Sequence, residues 1–225
     1  MTDDARPVIF IGGGSLAIEA AAYLLARGEE SRLAYIVDAV GGRAADFASL
    51  LGRPVPVVSE IGEVDIAGHE LLICFGDPQL RWHKWRELQL PGARFATIVH
   101  PTAEICKNAR IGSGAIVGPF AFVAPFAVVG ENAVLNVRAT VGHDATVGHS
   151  AVLSPHADIN GYGVAGEGAF LGAAAVISPS AKLGHFAKLS AGSVLNKVAG
   201  DGDLMHGNPA NGRKMFRVPA DLQAG

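Results

Sequence analysis

The chain has 225 residues, enough for one large domain or two modest ones that each bury an apolar core. A formal net charge of -3 and a pI near 6.2 exclude a basic surface for nucleic acids or anionic membranes, which are therefore not expected as partners. The 29 glycines and an aromatic fraction of only 7% indicate a core packed with small side chains.

Three features bear on the cellular compartment. Asp3 and Asp4 stand where a secretory signal needs basic residues, and no apolar run approaches membrane-spanning length. The two cysteines, Cys74 and Cys106, form neither a disulfide framework nor a metal-ligand spacing. We expect a cytoplasmic protein without a metal.

The first hundred residues predict a small parallel α/β sheet, because short apolar strands alternate with helical segments. The predicted helix LAIEAAAYLLARG ends at Gly28, and a later helix begins with Asp77 as its cap and Pro78 in first position. Trp82 and Trp85, three residues apart on that helix, are expected in the core. The predicted strands are VIFI, LAYIVD and ELLICFG.

A glycine-rich turn between the first strand and the first helix predicts an anion site, since the free N–H groups of a helix start attract phosphate. Its residues are Gly12, Gly13, Gly14 and Ser15. With Ala17 they satisfy a loose dinucleotide fingerprint, and Asp38 ends the next strand, where it suits a sugar hydroxyl. About ninety residues supply only half of a dinucleotide fold, which favours the diphosphate of a nucleotide-sugar over NAD.

Residues 99–194 divide into sixteen hexads without an insertion. The first position is aliphatic except at Ala165, and the fifth is alanine in fourteen hexads, with Gly163 and Ser193 as exceptions. A strict period of six suits short strands separated by corners, so the pattern predicts a three-sided β-solenoid with eighteen residues per coil. About five coils at ~4.8 Å give a prism of roughly 25 Å. Aliphatic residues fill the interior, and glycine or asparagine in second position is expected to accommodate the corner backbone.

The eighteen-residue coil separates the histidines into columns. His143 lies beside Gly161 of the next coil, which leaves open space for an imidazole. His149 shares a column with His185 and two glutamates, which predicts a solvated charge ladder, and a surface role is favoured for His156.

The dipeptide His143-Asp144 is the candidate catalytic pair. Acyl transfer to an amine or hydroxyl needs a base that takes a proton near neutral pH, which imidazole provides. A carboxylate beside it would fix its tautomer and stabilise the imidazolium. Adjacent residues on a straight strand point in opposite directions, so the two can cooperate only at a corner.

The segment LNVRATVGHDATVGHSAVLSPHADI and the later GNPA resemble the hexapeptide-repeat acetyltransferases, in particular the subfamily of sialic acid O-acetyltransferases and nucleotide-linked aminosugar N-acetyltransferases. The resemblance implies a left-handed parallel β-helix, a homotrimer and acetyl-CoA as co-substrate, bound between subunits. It also implies an N-terminal Rossmann-like domain that binds a nucleotide-linked aminosugar. His143 would be the general base, and Asp144 would raise its basicity.

The same resemblance implies further site residues. Asn136 and Gly76 would join the glycine-rich turn and Asp38 in binding the sugar substrate. Ala173 and Ala191 would lie beside acetyl-CoA, and Val152 stands where many members have a histidine that contacts the acetyl group. Leu16 and Ala39 depart from the subfamily pattern, so the sugar and the base stay open.

We therefore predict a nucleotide-sugar-binding domain at 1–98 and an acetyltransferase domain at 99–225. The predicted function is N-acetylation of a nucleotide-linked aminosugar for surface polysaccharide or glycan assembly. The alternative acceptor is a sugar hydroxyl, as in sialic acid O-acetylation. Zinc catalysis and a non-catalytic module or NAD-binding regulator are the rivals from other classes.

Overall fold

A computed structural model describes residues 6–41 and 43–222, so the acidic N-terminal residues used above lie outside the described residues. Four parallel strands form an N-terminal sheet in the order β3-β2-β1-β4. These strands are β1 (Val8–Ile11), β2 (Leu33–Val37), β3 (Val57–Val58) and β4 (Glu70–Ile73). The helices are α1 (Ser15–Ala26), α2 (Ala44–Leu51) and α3 (Pro78–Glu87), with 3-10 turns at Glu30–Arg32, Ile61–Glu63 and Ala220–Leu222.

The predicted strands and both predicted helices of the N-terminal sheet are present. Helix α1 stops shortly before Gly28, which adopts a φ of +69° that glycine tolerates. Helix α3 begins at Pro78, and Asp77 Oδ1 accepts a hydrogen bond from the Leu80 N–H at 2.9 Å. Helix α2 and strand β3 were not predicted, because eight and two residues are too short to show a clear apolar period.

From Ile98 onward the chain coils into a three-sided β-helix, here called the prism. Its strands form one sheet of eight strands and two of six. The eight-stranded sheet contains β5 (Ile98–Val99), β8 (Ile116–Val117), β11 (Val134–Leu135), β14 (Val152–Leu153), β17 (Phe170–Leu171), β20 (Lys188–Leu189), β23 (Asp203–His206) and β24 (Asn211–Lys214). The second contains β6 (Glu104–Ile105), β9 (Phe122–Val123), β12 (Thr140–Val141), β15 (Asp158–Ile159), β18 (Val176–Ile177) and β21 (Val194–Leu195). The third contains β7 (Arg110–Ile111), β10 (Val128–Val129), β13 (Thr146–Val147), β16 (Val164–Ala165), β19 (Lys182–Leu183) and β22 (Val198–Ala199).

The register has the predicted eighteen-residue coil, because Val134 pairs in parallel with Val152 and Leu135 with Leu153. Aliphatic residues in first position fill the interior, where Val141 and Leu153 are fully buried. The alanines in fifth position are buried with them, apart from Ala103 and Ala109 in the first two hexads, which are partly buried. One large and one small apolar residue per hexad therefore build a continuous core.

The corners differ from the prediction for second-position glycines. The left-handed backbone falls on the fourth position, as at Asp144 (φ +58°) and Ser150 (φ +56°). Second-position glycines instead lie where coils come close, since a Cβ on Gly148 would approach the backbone N of Glu167 to 2.5 Å. These glycines are required by the spacing between coils, and their predicted role in corner conformation was wrong.

The N-terminal sheet packs on the eight-stranded sheet, which we call the docking face. Ile116, Val134 and Val152 project from that face into one apolar cluster with Ala17 and Leu24 of α1. Trp82 and Trp85 of α3 are 6% and 7% exposed, which confirms their predicted place in the core. In the part of the chain that the structure describes, none of the helices has the length and apolar character that crossing a membrane requires.

Candidate active site

His143 and Asp144 occupy the corner between β12 and β13, in the third and fourth positions of their hexad. Because Asp144 adopts the left-handed backbone, its side chain turns toward the imidazole, and His143 Nδ1 lies 3.0 Å from Asp144 Oδ2. The corner required for their cooperation is therefore present. A carboxylate in this place favours the tautomer with a proton on Nδ1 and leaves Nε2 free to accept one.

The free side of the imidazole faces the next coil. The His143 side chain is 59% exposed, and a Cβ on Gly161 would lie only 2.6 Å from His143 Nε2. The ring of Tyr162 meets the imidazole edge to face, with centroids 5.2 Å apart. The Gly161 N–H has no hydrogen-bond acceptor among the described residues, so it is an available donor close to Nε2.

A groove of about 550 Å³ runs beside this corner across the second sheet. Besides His143, its polar lining includes Thr140, Asp158 and Asn160. The Thr140 hydroxyl donates to Asp158 Oδ1, and Asn160 Nδ2 donates to Asp158 Oδ2 at 3.4 Å. The sequence analysis did not single out Asp158, although the six-residue spacing places it on the outer surface of the strand next to β12.

The residues predicted to hold acetyl-CoA do not lie together on one surface of this chain. Ala173 and Ala191 are exposed on a different edge from His143, where Asn136 donates through Nδ2 to Leu153 O at 3.0 Å. Val152 is only 3% exposed and packs in the cluster beneath α1. The Val152 side chain therefore faces the N-terminal sheet, and its place beside acetyl-CoA stays a prediction.

At the other end of the site, the glycine-rich turn joins β1 to α1 at the carboxyl edge of the N-terminal sheet. Gly12 has a φ of +99°, and a Cβ there would lie 2.7 Å from the Phe75 ring. A Cβ on Gly13 would lie 2.5 Å from Asp38 Oδ2. The structure thus brings the turn, Asp38 and the end of β4 together, and Gly76 follows Phe75 with open space around it.

The start of α1 is open to an anion. Its N-cap residue Gly14 supplies no side-chain cap, and the first turn contains no acidic residue. Arg43, at the start of α2, donates from Nη1 to Ser15 Oγ at 3.3 Å and pairs with Asp46 through Nε at 2.6 Å. The sequence analysis missed Arg43, whose only signal was its place in the loop that follows Asp38.

His149 contradicts the predicted solvated ladder. It is half-buried, its Nε2 lies 3.1 Å from Ser150 Oγ, and its ring meets Trp85 with centroids 5.3 Å apart. Burial, together with the charge of Arg81, lowers the pKa of His149 to about 4, so the ring is neutral at pH 7. The prediction failed because α3 covers this edge, which the repeat alone does not reveal.

His185 and His156, the two remaining prism histidines with a predicted surface role, differ from each other. His185 is half-buried and accepts a hydrogen bond on Nδ1 from the Glu167 N–H at 3.1 Å, so it too departs from a simple solvated ladder. His156 is exposed, as predicted. Among residues 6–41 and 43–222, no group of three or more His, Cys, Asp or Glu residues could hold a metal ion.

The two halves of the candidate site are apart within one chain. The N-terminal sheet covers the docking face, whereas the corner of His143 joins the other two sheets and is therefore the edge opposite that face. A ligand held by the glycine-rich turn of one chain therefore lies on the side of the docking face, away from His143 of the same chain.

Comparison with solved structures establishes the family. A variant of perosamine N-acetyltransferase from Caulobacter crescentus, solved with CoA and GDP-perosamine, matches with a TM-score of 0.83 and 30% identity over 92% of this chain and 96% of that chain. The chain belongs to the hexapeptide-repeat left-handed β-helix acetyltransferases. No protein-family model and no curated protein matches the sequence.

Two other acetyltransferase-fold structures agree. The acetyltransferase domain of PglB from Neisseria gonorrhoeae matches with a TM-score of 0.81 and 25% identity, over 92% of this chain and 100% of that chain. WeeI from Acinetobacter baumannii shares the fold, with a TM-score of 0.79, 20% identity and coverage of 92% and 99%. The predicted fold, a small parallel sheet followed by a left-handed β-helix, and the predicted acetyltransferase class are confirmed. The roles of individual residues stay predictions.

Proposed function

We propose that this acetyltransferase transfers the acetyl group of acetyl-CoA to the amino group of a nucleotide-linked aminosugar, with His143 as general base. The observation that carries the proposal is the exposed imidazole, paired with Asp144 on one side and open to a groove on the other. The relative at 30% identity was solved with CoA and GDP-perosamine, a nucleotide-linked aminosugar, which supports the same substrate class here.

The chemistry follows from the two sides of the imidazole. As the amine nitrogen attacks the thioester carbon, His143 Nε2 takes the amine proton, while the Nδ1–H donates to Asp144. The N–C bond forms, the C–S bond breaks, and the proton passes to the leaving thiolate. The free N–H of Gly161 is the proposed donor to the oxygen that gains negative charge.

The N-terminal sheet would hold the acceptor. The open first turn of α1 and the guanidinium of Arg43 suit the diphosphate, and Asp38 suits a ribose or sugar hydroxyl. We assign this task to residues 1–98 and the transfer chemistry to residues 99–225.

The separation of the two halves supports a homotrimer in which copies complete each other's sites. Ala173 and Ala191 of one prism would then lie across from His143 of a neighbouring prism, with acetyl-CoA between them. Their small side chains would let a ligand approach the backbone closely. The cytoplasmic location stays a prediction.

The test is a panel assay with acetyl-CoA and three acceptor types: GDP-perosamine, UDP-linked aminosugars and sialic acid. Release of CoA and a product mass gain of one acetyl group on an aminosugar nucleotide would support the proposal. Acetylation of sialic acid alone would favour the O-acetyl alternative. Full turnover by His143→Ala would remove His143 from the mechanism.

A thermal-shift plate separates the remaining rivals. Stabilisation by acetyl-CoA and by a nucleotide-sugar is expected, because each ligand binds the folded state. Stabilisation by NAD alone would instead indicate a regulator. The plate also selects the nucleotide base for later kinetics.

A further inference from the structure

We propose that Arg81 and Asn132 form a buried latch that positions the acceptor-binding loops of the N-terminal sheet on the prism. This inference rests on the function proposed above, because it assigns the loops to the acceptor. It makes Arg81 a positioning residue for acetyl transfer, remote from the reacting atoms.

Arg81 of α3 is fully buried, and neutral oxygens alone accept its hydrogen bonds within the described chain. Its Nη1 donates to Ile73 O at 2.5 Å and to Phe75 O at 3.0 Å. Its Nε and Nη2 donate to Asn132 O at 2.9 and 2.7 Å, and Nη2 also donates to Asn132 Oδ1 at 2.7 Å. One guanidinium thus joins the end of β4 to a corner of the prism.

Asn132 returns the contact. It is fully buried with a φ of +55°, and its Nδ2 donates to Arg81 O at 3.1 Å and to Ser150 Oγ at 2.8 Å. A buried cation without a carboxylate partner is costly, and burial lowers the pKa of Arg81 to about 9. A buried cation of this kind need not add to the free energy of unfolding. Its several directional hydrogen bonds instead define one orientation of α3 on the prism.

The latch is connected to the acceptor-binding loops through two contacts. Arg81 holds the carbonyl groups of Ile73 and Phe75, which stand three residues and one residue before Gly76. The ring of Phe75 in turn packs on Gly12, where a Cβ would be 2.7 Å away. A displaced Arg81 would therefore shift both the β4 loop and the glycine-rich turn.

The latch also lies at the same level along the prism as the proposed base. Asn132 precedes His143 by eleven residues and Ser150 follows it by seven, within coils of eighteen. With a rise of ~4.8 Å per coil, Asn132 is about 3 Å below His143 along the axis, and its hydrogen-bond partner Ser150 is about 2 Å above it. The latch therefore fixes the position of the acceptor-binding loops along the prism axis, at nearly the same height as His143.

The decisive variant is Asn132→Gly, which removes the side-chain bonds of the latch. Glycine should fit the backbone, since Gly114 in the preceding coil and Gly168 two coils further on occupy equivalent corners of this edge. His156→Gly is the matched control, because it places glycine at an exposed fourth-position corner with a φ of +60°. Asn132→Asp is the rescue variant, because it keeps an oxygen for Arg81 and aspartate tolerates this φ, as Asp144 shows.

The readout is steady-state acetylation of GDP-perosamine, or of the panel acceptor that turns over fastest. We expect Asn132→Gly to lower kcat at least tenfold while KM for acetyl-CoA stays within twofold, and Asn132→Asp to recover to within threefold of the parent. His156→Gly should match the parent. A kcat for Asn132→Gly within twofold of the parent, an equal loss of acetyl-CoA affinity, or no recovery by Asn132→Asp would overturn the latch.

Amide hydrogen exchange keeps this test separate from the proposed function. In Asn132→Gly, residues 12–15 and 74–77 should exchange at least fivefold faster than in the parent, while β15 and β18 stay unchanged. Equal exchange in both proteins would refute the latch. If the parent acetylates no acceptor, the proposed function fails, and the exchange result alone decides the latch.

Discussion

His143 Nε2 lies at the position where Gly161 of the next coil leaves room for it, since a Cβ on Gly161 would be 2.6 Å from that nitrogen. The exposed imidazole, the Gly161 N–H, which is unpaired among the described residues, and the groove lie at this corner. The absence of a Cβ at Gly161 thus determines where the imidazole of His143, the proposed base, can lie.

Gly161→Ala should therefore displace the imidazole and lower kcat about 10- to 100-fold, because a 1 Å misplacement can cost that much. The backbone at Gly161 is not in the left-handed region, so alanine should leave the fold intact. Steady-state kinetics and a thermal melt check both points. Gly68→Ala is the matched control, since no atom lies within 4 Å of its Cβ position. Unchanged kcat in Gly161→Ala would contradict this geometry.

Removing the base should lower the rate most. His143→Ala is expected to lower kcat by about 10² to 10⁴, as general base catalysis typically contributes that factor. Asp144→Asn keeps a residue that tolerates a φ of +58° but loses the charge next to Nδ1, so a smaller loss of about tenfold is expected. Calorimetry should show acetyl-CoA binding within threefold of the parent for both variants. A larger loss for Asp144→Asn than for His143→Ala would reverse the proposed roles.

His149 should make the folded state sensitive to acid. Its pKa is about 4 in the folded chain and 6.5 when unperturbed, so between these values the unfolded chain binds the extra proton. The stability that the neutral ring contributes is therefore present above pH 6.5 and lost as the pH falls toward 4. At pH 5 the free energy of unfolding should be lower than at pH 7.5 by on the order of 1 kcal/mol, after allowance for the partial exposure of the His149 ring.

The measurement for His149 is the denaturant midpoint at pH 7.5 and pH 5.0, at one protein concentration. His149→Gln can still hydrogen-bond Ser150 but does not titrate, so it should lose less stability between the two pH values than the parent. Identical losses in both proteins would show that His149 is not the acid-sensitive group.

Two kinds of glycine on the prism should respond differently to alanine. A Cβ on Gly148 would lie 2.5 Å from the backbone of the next coil, so Gly148→Ala must separate two coils. Gly192 has a φ of +66° and open space, so Gly192→Ala should cost only the ~1 kcal/mol of an unfavourable backbone. Thermal melts should therefore show a clearly larger drop for Gly148→Ala. A larger drop for Gly192→Ala would instead indicate that backbone conformation at the corners, and not the spacing between coils, limits stability.

The sequence alone predicted the prism because its hexad is a local and strictly repeated constraint. The period of six determined which residues stack. It predicted from the sequence that His143 lies beside Gly161 and shares a corner with Asp144. It could not determine which face the N-terminal sheet covers. That long-range contact buries Val152 and His149, and the predicted solvated ladder at His149 failed for this reason.

Arg81 illustrates the same limit. In sequence it is one of several charged residues on a polar helix, and nothing nearby indicates burial. Its five hydrogen bonds go to the end of β4, to Phe75 just beyond it and to Asn132 fifty-one residues away. Only the packing of α3 on the prism brings these acceptors together. Arg43 and Ser15 likewise meet across twenty-eight residues.

The uniform coil has a consequence for how the chain can change in length. An insertion of one residue that is carried through the following register would turn the aliphatic side chains outward, since strand faces alternate with each residue. A gain or loss of eighteen residues would instead keep all faces and translate everything beyond it by about 4.8 Å. Length variation along this part of the chain should therefore be quantised, and a whole coil is the unit in which evolution or a protein engineer can move His143 relative to Asn132.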